Sequence, residues 1–535
     1  VIGYRYDKNG NRLKTLLPNQ SAINYHYYGS GHLSAIKYND QLITEFSRDK
    51  LHREISRTQG NLTSQFNRDP VGRLTQQLAT LESASKSAAT SDHIIRRNYQ
   101  YDRVGDLTET DDLRTGKTPY RYDKLGQIQL AGQERFAFDP AHNLIEKETQ
   151  RIENNQLTEY QGNHYRYDEF GNLSERRLAN GEIQTYRYNV KDQLIKAIIQ
   201  KPNQVKEEWQ YQYDVLGRRT SKVRLENGKI LADSQVEFIW DGSHLVQEID
   251  HKTDRTFSYI YSHPNSYEPL AQLKFAKDNE KPTAYYYHND QIGIPRELTD
   301  EQGKVCWTGN YSGWGKLNNE YAFVENIHQP FRLQNQYCDS ETGLHYNFFR
   351  YYEPNIGRFT QLDPIGLQGG MNLYRFEGTV QNSVDPLGLF AIAPAAPWIW
   401  KGLAYVGTAL TGILVGIGIM DATEENDKAQ STAQSKSEST SKCDKSPCPP
   451  CRPYPVGTIG YIGPRTVQIG VDGARNNGGQ GVPHFKLFSV NQNPNDCSCR
   501  WEHTKKIMRE YGHHTYDIPP GAINLNGKGD PPSYP

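Results

Sequence analysis

Net charge is what this chain most plainly lacks. Its 535 residues carry 61 Lys and Arg against 62 Asp and Glu, so the molecule as a whole offers no field to draw in nucleic acid or an anionic membrane. Apolar residues are also sparse: 36% of the sequence, with a mean hydropathy of −0.81, low for one compact core. Cysteine is scarce and skewed. Cys306 and Cys338 stand isolated, whereas Cys443, Cys448, Cys451, Cys497 and Cys499 crowd the last 93 residues, which marks the C-terminus as a different module. No secretory signal is visible. No phosphate-cradling glycine loop, Gly-x-Ser-x-Gly elbow or His-Glu-x-x-His pair is present, which removes the motif grounds for three large enzyme classes. Residue 1 is Val rather than Met and a repeat is running by residue 4, so the expectation is a C-terminal part of something longer.

What is abundant is tyrosine, 36 residues of it, most of it inside a repeat. The unit is aromatic–x–aromatic–Asp followed by Gly and a polar or basic residue. Tyr4-Arg5-Tyr6-Asp7, Tyr120-Arg121-Tyr122-Asp123, Tyr165-Arg166-Tyr167-Asp168 and Tyr211-Gln212-Tyr213-Asp214 are clear copies. Fourth positions fall at 7, 28, 49, 69, 102, 123, 139, 168, 189, 214 and 241, several steps being 20 or 21 residues, and such a period decides the architecture. Alternation places both tyrosines on one face of a strand. Asp-x-x-Gly supplies the turn, because Asp bonds its own backbone and Gly accepts positive φ. Each copy therefore reads as a β-hairpin, neighbouring hairpins pair into a continuous coiling sheet, and the aspartates cap turns.

Around residue 285 the repeat changes character. Tyr285-Tyr286-Tyr287-His288-Asn289-Asp290 leads into a dense block containing Glu341-Thr342-Gly343-Leu344-His345-Tyr346-Asn347, Arg350-Tyr351-Tyr352-Glu353-Pro354, Gly357-Arg358-Phe359 and Asp363-Pro364-Ile365-Gly366-Leu367, closing on Asp385-Pro386-Leu387-Gly388-Leu389. Read alone, an Asp-Pro step is a turn. Peptide hydrolysis by carboxylates needs two that share a proton, and Asp363 and Asp385 are the pair available.

At these residues the chain resembles the Rhs (rearrangement hot spot, YD-repeat) family over about residues 1–389, the Asp-Pro-Leu-Gly-Leu terminator being the sharpest mark. The resemblance implies a mainly β fold: a YD-repeat β-cocoon wall at 1–284 and a core plug at 285–389, enclosing a small α+β toxin domain. It implies an aspartyl autoprotease without cofactor, with Asp363 and Asp385 as catalytic acids and Leu389–Phe390 as the scissile bond. Arg350 and Arg358 become candidates to orient carboxylates or hold the cleaved end. Two departures stand out: Glu353 where the family pattern usually has Asp, and Glu377-Gly378-Thr379-Val380 where an Asn-Pro step is common. The implied biology is a type VI-type polymorphic toxin, held in the producer cytoplasm and delivered into neighbouring bacteria. A secretion apparatus reached through a missing N-terminal part and a cognate immunity protein are the implied partners. The whole-chain rival is a non-enzymatic adhesion or carbohydrate-binding YD-repeat protein, which needs no release point.

Past Leu389 the composition changes twice. Residues 390–421 form an apolar segment whose stretch 402–420 lacks any charge over 19 residues. It reads as a target-membrane-inserting span, an apolar anchor held by the cocoon, or ordinary core. Residues 422–447 read as a disordered linker. The terminal domain, 448–535, holds Cys448, Cys451, Cys497 and Cys499, a possible zinc set with disulfides or free thiols as alternatives. His484, Arg500, His503 and Lys505 are candidates for RNA cleavage by a histidine acid–base pair with cations on the phosphate. The plain alternative is a strand histidine satisfied by a backbone carbonyl. From Cys443 onward 10 basic residues face 7 acidic ones, a mild bias toward a phosphate-bearing target such as RNA. NAD or nucleotide modification and membrane damage are the rival activities.

Overall fold

The computed structural model describes residues 1–81, 93–147, 149–276 and 281–391, together with four short strands of the tail, Gly460–Tyr461, Phe488–Gln492, Cys499–His503 and Ile523–Asn524. It divides into two units, 1–429 and 430–535. In the first, thirteen strands from Gly3–Tyr6 to Glu134–Arg135 form one antiparallel meander, each pairing with its sequence neighbours. A second meander of sixteen runs from Glu159–Tyr160 to Leu317–Ala322, including the side strand Lys229–Ile230.

The turn chemistry is explicit. Asp7 Oδ1 accepts from the backbone N–H groups of Asn9 and Asn11, both at 2.8 Å, while Gly10 N–H donates to Asp7 O and Asp7 N–H to Asn11 O. The same bonds recur at Asp49, Asp123, Asp139, Asp168 and Asp214. These donors stabilise the carboxylate; at Asp7 the side-chain bond from Asn11 leads in holding its pKa below the usual range.

Just before each turn the ladder slips by one residue, so that Tyr6 faces Arg12, Tyr167 faces Leu173 and Tyr188 faces Leu194. A bulge of this kind leaves ladder groups to be satisfied elsewhere. The second tyrosine of the following repeat does so: Tyr27 Oη donates to Arg12 O, Tyr188 to Leu173 O, Tyr213 to Leu194 O and Tyr261 to Leu245 O, at 2.8–3.0 Å. In the second meander the first tyrosine is core: Tyr165, Tyr186 and Tyr211 are buried. One repeat thus splits its two rings between packing and backbone satisfaction.

Two features differ from a single sheet that gives way to a plug at 285. The meander breaks between Arg135 and Glu159, where a two-stranded hairpin, Ala137–Phe138 with Leu144–Ile145, and a 3-10 turn at Glu153–Asn155 intervene. Here the chain is diverted to bond the plug: Ala141 O and Asn143 Oδ1 accept from Asn372 Nδ2, and Asn155 O accepts from Arg358. The wall also runs on through Thr283–Asn289, Pro295–Thr299, Val305–Tyr311 and Leu317–Ala322.

The plug proper is a four-stranded sheet, Tyr337–Cys338, His345–Asn347, Arg350–Glu353 and Arg358–Phe359. Its rings meet the wall's: Phe238–Tyr337 at 5.2 Å, Tyr259–Phe331 at 4.7 Å and Trp240–Tyr346 at 5.9 Å, all edge to face, as aromatic quadrupoles prefer. Buried charges tie the same contact. Arg219 donates to Asp339 at 2.5 Å, and Lys222 to Asp339 and Glu341 at 3.1 and 2.8 Å. Glu353, the departure from the family's Asp, is fully buried against Arg176 of the wall.

In the second unit Phe488–Gln492 pairs antiparallel with Cys499–His503, and Gly460–Tyr461 pairs parallel with Ile523–Asn524. Alternation over 484–490 predicts a strand there, and its described part lies in Phe488–Gln492, residues 484–487 being outside the described residues.

Candidate active site at the end of the plug

Each of the two Asp-Pro steps reproduces part of the turn found in the wall's repeats. Ile365 N–H donates to Asp363 Oδ1 at 3.0 Å and Gly366 N–H to Asp363 O at 2.9 Å. Leu389 N–H donates to Asp385 Oδ1 at 3.0 Å. Gly366 and Gly388 take φ of 58° and 68°, the left-handed conformation such turns require. What differs is the setting. These turns face each other inside the plug, where Asp363 is 7% and Asp385 4% exposed.

Arg350 joins them. Its Nη2 lies 2.9 Å from Asp363 Oδ2 and 3.7 Å from Asp385 Oδ2. Its Nε donates to Gly388 O and its Nη1 to Leu373 O at 3.1 Å, while the guanidinium stacks 3.6 Å above the Phe359 ring. Asn335 and Asn347 hold the terminator's backbone by donating to Pro386 O at 2.6 Å and Asp385 O at 2.9 Å.

Leu389 is fully buried, and Phe390 packs part-exposed against the same core. A methyl group built on Gly369 would lie 2.8 Å from Leu389 O and closer still to Asp363 Oδ2. Asp363 and the Leu389 carbonyl therefore crowd one spot, with Asp385 on the adjoining N–H. Burial drives both acids toward their neutral form: Asp363 is pushed up to about 6 despite Arg350, and Asp385 is raised as well. Asp7, Asp49 and Asp69 of the wall are held low and this pair is raised, because here desolvation outweighs the donors.

Arg358 lies elsewhere. It bonds Asn143 Oδ1 and Asn155 O and stacks on Tyr374, because Arg350 faces Asn347 and Arg358 faces Glu353 at opposite ends of the plug hairpins. Asn335, Asn347 and Gly369 were not legible as site residues; only the Gly369-Gly370 doublet signalled a close approach. His484, Lys505, Cys448, Cys451, Cys497 and the 402–420 segment lie outside the described residues. Cys499, Arg500 and His503 share one strand of the tail hairpin. Among the described residues no cluster of three or more His, Cys, Asp and Glu side chains is arranged to hold a metal, and no helix is long and apolar enough to cross a membrane.

A meandering wall of Tyr-x-Tyr-Asp hairpins, bonded to a plug that ends in paired Asp-Pro turns, defines a YD-repeat shell protein. The family model described as RHS protein matches residues 284–321, the four wall strands next to the plug. Double-stranded DNA deaminase toxin A of Burkholderia cenocepacia (strain H111) is 37% identical over 421 residues, covering 73% of this chain and 29% of that protein. The probable deoxyribonuclease RhsA of Dickeya dadantii (strain 3937) is 27% identical over 382 residues, 68% of this chain and 26% of that one. The crystal structure of TcdB2-TccC3 superposes with a TM-score of 0.52 at 17% identity over 72% of this chain and 22% of that chain, a likeness of fold. The chain belongs to the Rhs family, and it spans less than a third of the length of these curated relatives.

Proposed function

We propose that this chain is the shell-and-cargo part of an Rhs polymorphic toxin that cuts itself between Leu389 and Phe390. The observation that carries the reading is the convergence of two buried carboxyls on the N–H and C=O of one residue, Leu389, with Arg350 reaching both carboxyls and the preceding Gly388 O. One proton shared by Asp363 and Asp385 suits acid–base hydrolysis. Water adds to the Leu389 carbonyl carbon while the protonated carboxyl polarises its oxygen. The ionised carboxyl takes the water's proton, which passes to the Phe390 nitrogen as the C–N bond breaks. Leu389 gains a carboxylate and Phe390 a free amine, and one turnover suffices.

On this reading the wall holds the released tail, and the tail is the effector, exported with help from segments outside this chain and restrained in the producer by an immunity protein. Two relatives named for DNA-directed activities favour a nucleic-acid target for that effector; RNA cleavage by His484 and His503 is the specific form proposed. Denaturing electrophoresis of the purified chain tests the cut: a fragment beginning at Phe390 is expected, absent from Asp363→Asn and Asp385→Asn. An uncut wild-type chain would sink the protease reading. Inducing the full chain in bacteria and inspecting total RNA and DNA tests the effector; growth arrest with both intact overturns the nucleic-acid reading.

A further inference from the structure

Arg358, singled out by the sequence and set apart from the aspartate pair, forms no salt bridge among the described residues, and the carboxylate that acts on it, Asp139, does so without a direct bond. Arg57, Arg97, Arg176, Arg219 and Arg350 are all buried, and each pairs with a carboxylate. Buried Arg332 is answered by two backbone carbonyls and the Cys338 thiol. Arg358 is 5% exposed, and its polar partners are the neutral Asn143 side chain and the Asn155 carbonyl. A guanidinium taken out of water without an anion costs several kcal/mol, and burial holds this one below its usual pKa.

The same residue borders a cavity of about 20 Å³ that also touches Gln127, His142, Trp314, Asn372 and Arg375. No carboxylate lines it and two arginines do. Two donors at its wall have no partner: Arg358 Nε and Trp314 Nε1, the tryptophan being 6% exposed. His142 Nδ1 and Gln127 Oε1 are also unpaired; turning the Gln127 amide over would present its NH2 group instead, an assignment made from hydrogen bonding alone. Space of this size holds one water-sized species.

We infer that this cavity is a binding site for a single small monovalent anion of halide size, held by Arg358 and Trp314 Nε1. Charge decides between an anion and a water: a water satisfies the orphan donors and leaves the guanidinium uncompensated, whereas a halide does both. The anion bridges four parts of the protein, since Gln127 belongs to the first half of the wall, His142 to the hairpin in its break, Trp314 to the end of the second half and Arg358 to the plug.

Bromide is the probe. Crystals of the full chain soaked in sodium bromide should show one anomalous peak within hydrogen-bonding reach of Arg358 Nε and Trp314 Nε1. In solution the melting temperature should rise with bromide relative to gluconate at equal ionic strength, by mass action on the folded state. Trp314→Phe keeps the ring packing and should weaken bromide binding by about tenfold, the loss of one charge-assisted hydrogen bond. Arg358→Met should abolish the bromide dependence; if that variant does not fold, Trp314→Phe and the anomalous map still decide. A cavity with no anomalous peak, holding water only, overturns the proposal, as does an equal bromide response in wild type and Trp314→Phe.

Discussion

Replacing Gly369 by alanine isolates the geometry of the proposed cut from its chemistry, because it alters neither carboxyl nor Arg350. The new methyl carbon would stand 2.8 Å from Leu389 O and closer to Asp363 Oδ2, where ordinary contact needs well over 3 Å. One of the two must retreat by roughly 1 Å, and a misplacement of that size costs on the order of a hundredfold in rate. Overpacking adds about 1–3 kcal/mol of destabilisation, small beside the whole wall and plug, since the turn Gly366–Gly369 contains no buried residue. Gly369→Ala should therefore fold, give an unchanged far-UV spectrum, and accumulate the Phe390 fragment about a hundredfold more slowly in a denaturing-gel time course. Cleavage at the wild-type rate would show that Asp363 and the Leu389 carbonyl need not meet. A chain that unfolds would instead refute the placement of the turn at the plug's margin.

The Asp363 carboxyl binds its proton more tightly in the folded chain, at about 6, than in the unfolded one at 3.8. Its linkage therefore lowers stability as pH rises from about 4 to 6, by roughly 3 kcal/mol at most. Asp363→Asn lacks that loss, so its melting temperature relative to wild type should rise across the same window; a constant difference refutes the burial argument. Tyr213→Phe removes the bond to Leu194 O and the 3.0 Å contact with Tyr351 Oη; about 1–3 kcal/mol should be lost, against no loss if the bulge carbonyl finds other partners. Lys222→Met leaves Asp339 and Glu341 under-compensated in the core and should cost about 3–5 kcal/mol, read as faster limited proteolysis between wall and plug. Adding Glu341→Leu should restore much of it, and failure of that rescue would mean the lysine acts through packing rather than charge.

Much of the wall could be read from residue order because each repeat carries its own instructions. Asp-x-x-Gly fixes the turn, and alternation fixes which ring faces inward. The second tyrosine's role was hidden, since its acceptor belongs to the preceding hairpin and exists only once the bulge forms. Arg350 and Arg358 look equivalent in sequence, both basic and both beside aromatics. They separate only through register: Arg350–Glu353 is four residues long, so its two ends lie about 10 Å apart. The break at 136–158 was hidden for a related reason, because Asn143 and Asn155 are polar residues of ordinary loop type until the plug supplies Arg358 and Asn372 to bond them.

The wall turn and the proposed cutting site differ in one physical variable, and that variable also explains why a single turnover fits the geometry. An Asp-x-x-Gly turn at the surface has its carboxylate satisfied by its own backbone, as at Asp7 and Asp69, which are held low. Two such turns buried together beside Arg350 and Phe359 lose more to desolvation than their donors return, so both carboxyls hold their protons to higher pH than a free aspartate does. The substrate is the second turn's own continuation, held by Asp385 at Leu389 N–H and by Arg350 at Gly388 O. Those bonds all lie on the N-terminal side of the scissile bond, so hydrolysis breaks none of them. On the proposed reading a new Leu389 carboxylate would be left beside Asp363, where the carbonyl stands. On the proposed reading Phe390 and Ala391, part-exposed, form the side that would be released. A pair of turns whose carboxyls hold their protons more tightly through burial is thus tied to one bond by the same contacts that bury it.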